Sequence, residues 1–99
     1  MARFDVFRNP GGVGYLVDVQ ANLLSQLKTV VVLPLLPLES APQQAARLNP
    51  TLIVNGEPCS LLTQFMAAVP KSELKEWVAT LEAQSQTVLD AIDFLHHGW

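Results

Sequence analysis

The sequence predicts a mainly β fold finished by one C-terminal helix, and three observations carry that expectation. The first two thirds of the chain are short apolar runs separated by proline and glycine turns. Asn55-Gly56 stands between two such runs, where a tight hairpin turn is expected. In the last third the apolar spacing lengthens to alternating steps of four and three, the period of a helix.

Phe4-Asp5-Val6-Phe7 is β-prone and is ended by the turn formers Asn9-Pro10-Gly11-Gly12. Tyr15 to Gln20 alternates as a half-buried strand does, with Tyr15, Val17 and Val19 opposite Leu16, Asp18 and Gln20. Val30 to Leu33 has no polar face and suits a strand buried on both sides. Pro34 and Pro37 lack an N–H and are expected to end it. Ser40 to Leu48 reads as a short helix, with Ser40 as a possible N-cap and a proline in the first turn. Thr51 to Val54 and Glu57 to Leu62 make the hairpin, and Phe65 to Val69 is a further strand ending at Pro70. Leu74, Val78, Leu81, Ser85, Val88, Ile92 and Leu95 then mark one helix face. Thr80 could cap a helix starting at Leu81, Glu82 suits its first turn, and Gly98 stands where a terminating glycine belongs.

A chain of 99 residues, 49% hydrophobic and only 15% charged, fits one domain over residues 1–99 with too few charges to cover a monomer. An oligomer is expected, most simply a twofold dimer. Six Lys/Arg against nine Asp/Glu give a formal charge of −3 and no basic stripe, which argues against direct nucleic-acid binding. A partner protein with a basic surface remains open. Cys59 is the only cysteine, so no internal disulfide can form. MARFDVFRN has no apolar signal core, and Val30 to Leu38 is broken by two prolines where a membrane span needs roughly 20 apolar residues. A soluble, cytoplasmic protein is expected.

His96-His97 invites a metal reading, but adjacent helical residues diverge too far to grip one ion. Asp93 with His96 or His97 supplies only two ligands. In a last turn, histidines serve equally well against the helix dipole. Cys59 has no patterned base and reads as a small core residue. Phosphate loops and paired-carboxylate motifs are absent from the sequence. Asp18, in an apolar strand, is expected to face solvent or to bond neighbouring backbone. Trp99, beyond the helix stop, is either incidental or an interface anchor.

The segments YLVDVQANLL, VVVLPLLPLE, LNPTLIVNGEP, LLTQFMAAVP and LDAIDFL with its following glycine occur in this order over nearly the whole chain. In this the sequence resembles the CcdB toxins, the toxin halves of ccd toxin–antitoxin modules. The resemblance implies a homodimer of SH3-like barrels, each with a five-stranded antiparallel sheet, a small inserted three-stranded sheet and a long C-terminal helix. It implies a non-enzymatic toxin, without cofactor or metal, that binds the A subunit of DNA gyrase and traps the DNA-cleaved complex. A CcdA-like antitoxin would neutralise it, and the pair would repress its own operon, with DNA contacted only through the antitoxin. The family's Trp-Gly-Ile ending corresponds to His97, Gly98 and Trp99, of which only the glycine is retained. Leu23, Leu24, Asp93 and His96 match flanking positions of the gyrase-binding surface. Two other readings stand beside this one. MazF-type endoribonucleases share the fold, although the six basic residues here are scattered in sequence. A degenerate toxin that binds antitoxin without poisoning gyrase is the third.

Overall fold

The computed structural model describes residues 1–42 and 44–98; Gln43 and Trp99 lie outside the described residues. Among the described residues there are seven strands and one α-helix: β1 Asp5–Arg8, β2 Tyr15–Asp18, β3 Thr29–Pro37, β4 Thr51–Val54, β5 Glu57–Leu61, β6 Ala67–Pro70, β7 Trp77–Thr80 and α1 Ser85–His97. All pairings are antiparallel, in the order β4-β5-β3-β2-β1-β7, with β6 also on β3. β3 is the hub. Its first half pairs β6 (Val32 opposite Ala67) and its last part pairs β5 (Leu35 opposite Leu61), while β2 lies along its other side.

Pro34 does not end β3, contrary to the sequence expectation. It sits where β3 leaves β6 and takes up β5. Its carbonyl accepts the Leu62 N–H at 2.9 Å. Backbone N–H and C=O of one strand residue point to the same side, so the missing N–H faces the gap between two partners, where no ladder bond is needed.

Alternation along the strands builds two clusters. Val6, Val17, Val19, Leu33 and Leu35 join Leu52, Val54, Leu61, Leu81, Val88 and Ala91 inside the curl of the sheet. Phe7, Leu16, Val30, Val32 and Leu74 form the second cluster on the opposite face. Burial on both faces explains the uninterrupted β-branched run of β3. Each fully buried side chain of this kind stabilises by about 1.5–3 kcal/mol.

The sheet curls until its edges β4 and β7 approach. The Asn55 side chain donates to the Val78 carbonyl at 3.4 Å. Gln84, which follows β7, brackets Ile53 of β4: its amide oxygen accepts the Ile53 N–H and its nitrogen donates to the Ile53 carbonyl, both at 3.0 Å. The hairpin turn is as expected, with Asn55 (φ 49°) and Gly56 (φ 83°) both left-handed and Val54 opposite Glu57. Phe4 also carries a positive φ, 73°, costly for a bulky residue. It is pinned from both sides, its N–H donating to the Asp18 carbonyl and its carbonyl accepting from Leu81.

Four further expectations are corrected. No helix forms over 44–48, and the preceding residues Leu38–Ser40 are a 3-10 turn. Asn49 competes for the local backbone here, its side chain accepting the Ala45 N–H at 3.1 Å. Phe65 belongs to a 3-10 turn, so the strand is Ala67–Pro70. Leu74 and Val78 are not on the C-terminal helix: Leu74 fills the second cluster and Val78 lies on β7. Thr80 accepts the Glu82 N–H at 3.2 Å, but this opens a 3-10 turn, and α1 starts only at Ser85.

Candidate functional site

Val88 and Ala91 face the core with Leu89 and Ile92 half-buried beside them, so α1 is fixed by its apolar stripe. Asp90, Asp93, His96 and His97 stay exposed. Gly98 ends the helix in the left-handed conformation (φ 77°, ψ 15°), and its N–H donates to the Phe94 carbonyl at 2.8 Å. The His96 and His97 rings meet edge to face, centroids 6.4 Å apart and planes at 89°. Among the described residues no group of three or more His, Cys, Asp or Glu could hold a metal ion. Trp99, the last residue of the expected contact, lies outside the described residues.

Beside this helix end, the Arg47 guanidinium lies 4.5 Å from the centre of the Phe94 ring, a cation–π distance. Asn49 holds the Arg47 segment by donating to the Leu61 carbonyl at 2.9 Å and to Gln64 Oε1 at 2.7 Å. Between segment and helix runs an open groove of about 360 Å³, lined by Ala46, Arg47, Pro50, Thr87, Asp90, Ala91 and Asp93. Asp93 is therefore part of an acidic wall with one cation opposite.

Leu23 and Leu24 lie on a 3-10 turn, Asn22–Leu24, between β2 and β3. Leu23 is 94% exposed, Leu24 47% and Leu27 50%. The loop is tied down all the same. Asn22 Oδ1 accepts the Arg3 N–H at 2.8 Å, the Lys71 amine donates to the Ser25 carbonyl, and the Lys71 N–H donates to the Lys28 carbonyl at 2.9 Å. The structure brings Asp93, His96, His97 and Gly98 to one helix end and the two leucines to one turn. Within one chain, α1 lies against the sheet core and the Thr63–Phe65 turn.

Of the two roles expected for Asp18 the structure shows the second: it is 4% exposed, and its carboxylate accepts the neighbouring Gln20 N–H at 2.9 Å. Burial pushes its pKa up and Asp5 adds to this, while the Gln20 bond, Lys71 and the N-terminus oppose. Cys59 is fully buried, and burial, with the charge of Glu57, pushes its thiol up to about 11. That makes it a packing residue rather than a nucleophile. Arg8 pairs with Glu76 at 2.9 Å, and both join Lys75 and Glu73 around a cleft of about 170 Å³. Sequence reasoning missed this convergence, and it missed Gln20, Arg47 and Asn49, whose partners lie in other elements and leave no local pattern.

A family model described as CcdB protein matches residues 3–98. No curated protein matches the sequence. Among solved structures, one described as an endoribonuclease in complex with its cognate antitoxin, from a mycobacterial species, is similar with TM-score 0.80 at 15% identity, covering 100% of this chain and 98% of that one. The Mycobacterium tuberculosis toxin MazF-mt6 is similar with TM-score 0.71 at 12% identity, covering 92% and 93%. At such identities the likeness is one of fold.

Proposed function

The chain belongs to the CcdB family, and from that premise we propose that it is the toxin of a type II toxin–antitoxin pair that poisons DNA gyrase. It binds the gyrase A subunit and holds the enzyme on cleaved DNA. The contact surface comprises His96, His97, Gly98 and Trp99, with Asp93 beside them and Leu23 and Leu24 from the Asn22–Leu24 turn. The observation that carries this reading is the end of α1, anchored through Val88 and Ala91, closed by a left-handed Gly98 and exposed at His96, His97 and Gly98. Trp99 or His97 stacks on an arginine of gyrase, a contact worth about 0.5–2 kcal/mol. Action is by binding, with no catalytic group, cofactor or metal.

The working unit is a homodimer, which presents two helix ends to two gyrase A subunits and so raises the effective affinity. The low charge content, too small to cover a monomer's surface, supports a second chain. Each chain is a single domain, residues 1–99, of SH3-like type. The path β6-β3-β2-β1-β7 serves as its five-stranded sheet, and β4, β5 and the end of β3 as the smaller one. A CcdA-like antitoxin neutralises the toxin, and operator DNA is reached only through it, in keeping with the −3 charge. The site of action is the cytoplasm; among the described residues no helix is long and apolar enough to cross a membrane.

A second reading, a MazF-like endoribonuclease, draws on the cleft where Arg8 and Lys75 meet Glu73 and Glu76, since phosphoryl chemistry needs such convergence. The third, a toxin that binds antitoxin without poisoning gyrase, rests on the altered ending alone. Expression of Trp99→Ala is expected to abolish growth inhibition while leaving the circular dichroism spectrum and dimer unchanged. A folded, fully toxic Trp99→Ala rejects the assignment of that residue. RNA cleavage by the purified protein, lost in Arg8→Ala, selects the second reading.

A further inference from the structure

We propose that Gln20 is the positioning residue of the Leu23–Leu24 turn, fixing it in a binding-ready shape before any partner arrives. This rests on the proposed reading of that turn as part of the gyrase-binding surface. Leu23 is almost wholly exposed, so packing does not hold it. The Gln20 side-chain amide instead spans the base of the loop. Its nitrogen donates to the Leu24 carbonyl at 3.3 Å and to the Thr29 carbonyl at 3.2 Å, and its oxygen accepts the Val31 N–H at 3.2 Å. One side chain thus ties the 3-10 turn to the start of β3.

Gln20 is itself oriented by Asp18, whose buried carboxylate accepts the Gln20 N–H. The remaining ties are the turn's own backbone bonds, Leu24 to Ala21, Ser25 to Asn22 and Leu27 to Leu24, and the outer bonds from Arg3 to Asn22 and from Lys71 to Ser25 and Lys28; none of them joins the turn directly to β3. An apolar pair on an exposed turn binds well only if its ordering cost is met in the free protein, because immobilising a loop on binding subtracts from affinity. Gln20 performs that ordering and touches no partner itself.

The test combines hydrogen exchange with a double-mutant cycle on the full-length protein, using purified gyrase A subunit as the binding probe. In Gln20→Ala, the amides of Leu24, Ser25, Leu27 and Val31 are expected to exchange about tenfold faster, the equivalent of one or two lost hydrogen bonds, while core amides such as Val17 keep their protection. Affinity for gyrase A is expected to fall by about tenfold, and Leu23→Ala to cost much less in the Gln20→Ala background than alone. A residue of purely global structural importance would accelerate core exchange as well and give additive binding losses. Unchanged loop protection in Gln20→Ala, or additive effects with Leu23, overturns the positioning role. Failure of the unmutated protein to bind gyrase A rejects the gyrase reading instead, and loop exchange then decides the role of Gln20 alone.

Discussion

Closure of the curled sheet by Gln84 can be tested directly. Ile53 stands opposite Pro58, which has no N–H, so the Ile53 N–H and C=O face away from β5 toward the open edge of β4. Gln84 takes both, at 3.0 Å each, and its position just before α1 couples the helix to the edge strand. Each such bond contributes about 0.5–1.5 kcal/mol net. Ile53 is 48% exposed, so water replaces part of what is lost, and Gln84→Ala is expected to destabilise by about 1 kcal/mol rather than two or three. For a domain of this size that lowers Tm by about 4–8 °C. Gln84→Glu keeps the acceptor but aims a carboxylate oxygen at the Ile53 carbonyl. It is expected to fall below Gln84→Ala at neutral pH and to recover as pH drops through the carboxylate range. Urea unfolding at fixed protomer concentration, followed by circular dichroism, measures all three. Loss within the roughly 0.5 kcal/mol scatter of ordinary surface substitutions would refute the closure.

Other expectations follow from the same geometry. At Gly14 (φ 89°) an added Cβ would sit 2.2 Å from the Leu35 carbonyl oxygen, whereas at Gly56 (φ 83°) nothing lies within 4 Å. Gly56→Ala should therefore cost only the left-handed strain of about 1–2 kcal/mol. Gly14→Ala should cost clearly more, because β2 and β3 must also part; equal losses contradict the close approach. Asp18 has a folded pKa above its unfolded one, so the folded state holds the proton more tightly. The resulting penalty is absent below the ordinary carboxylate range and grows until pH has risen past the folded pKa. Asp18→Asn, which can still accept the Gln20 N–H, should be more stable than the parent at neutral pH, with the gap closing as pH falls. A gap that is constant with pH excludes this cause. The Cys59 thiol, pushed up to about 11 and fully buried, should react with a thiol reagent only at the rate of unfolding. Rapid labelling of the native protein would show the site to be open.

What the sequence made legible was whatever is encoded by neighbours along the chain. Asn55-Gly56 dictates its own turn, the alternation from Tyr15 onward dictates its own strand, and Gly98 dictates its own helix stop. Errors arose where a distant partner decided the outcome. A local rule makes Pro34 a terminator because it cannot show that β3 changes partners at that residue. Leu74 and Val78 fit a helical period by spacing, but burial against Val30 and pairing with β1 took those segments elsewhere. For Asp18 the bond to neighbouring backbone, two residues away, is legible in the sequence, whereas its burial is not. At the candidate site, the helix end and the exposed leucines were legible as motif positions, whereas Arg47 over Phe94 and the Gln20 clamp depend on contacts that no spacing announces.

The proposed action of this chain is to trap gyrase by contact. The most direct measurement is a gyrase cleavage assay with purified protein, scored for linear DNA after denaturation, with and without the antitoxin. Linear DNA is expected to accumulate with the protein, to be suppressed by prior addition of antitoxin, and to be absent with Trp99→Ala. No accumulation with the host's own gyrase, from folded protein that still binds antitoxin, would contradict it.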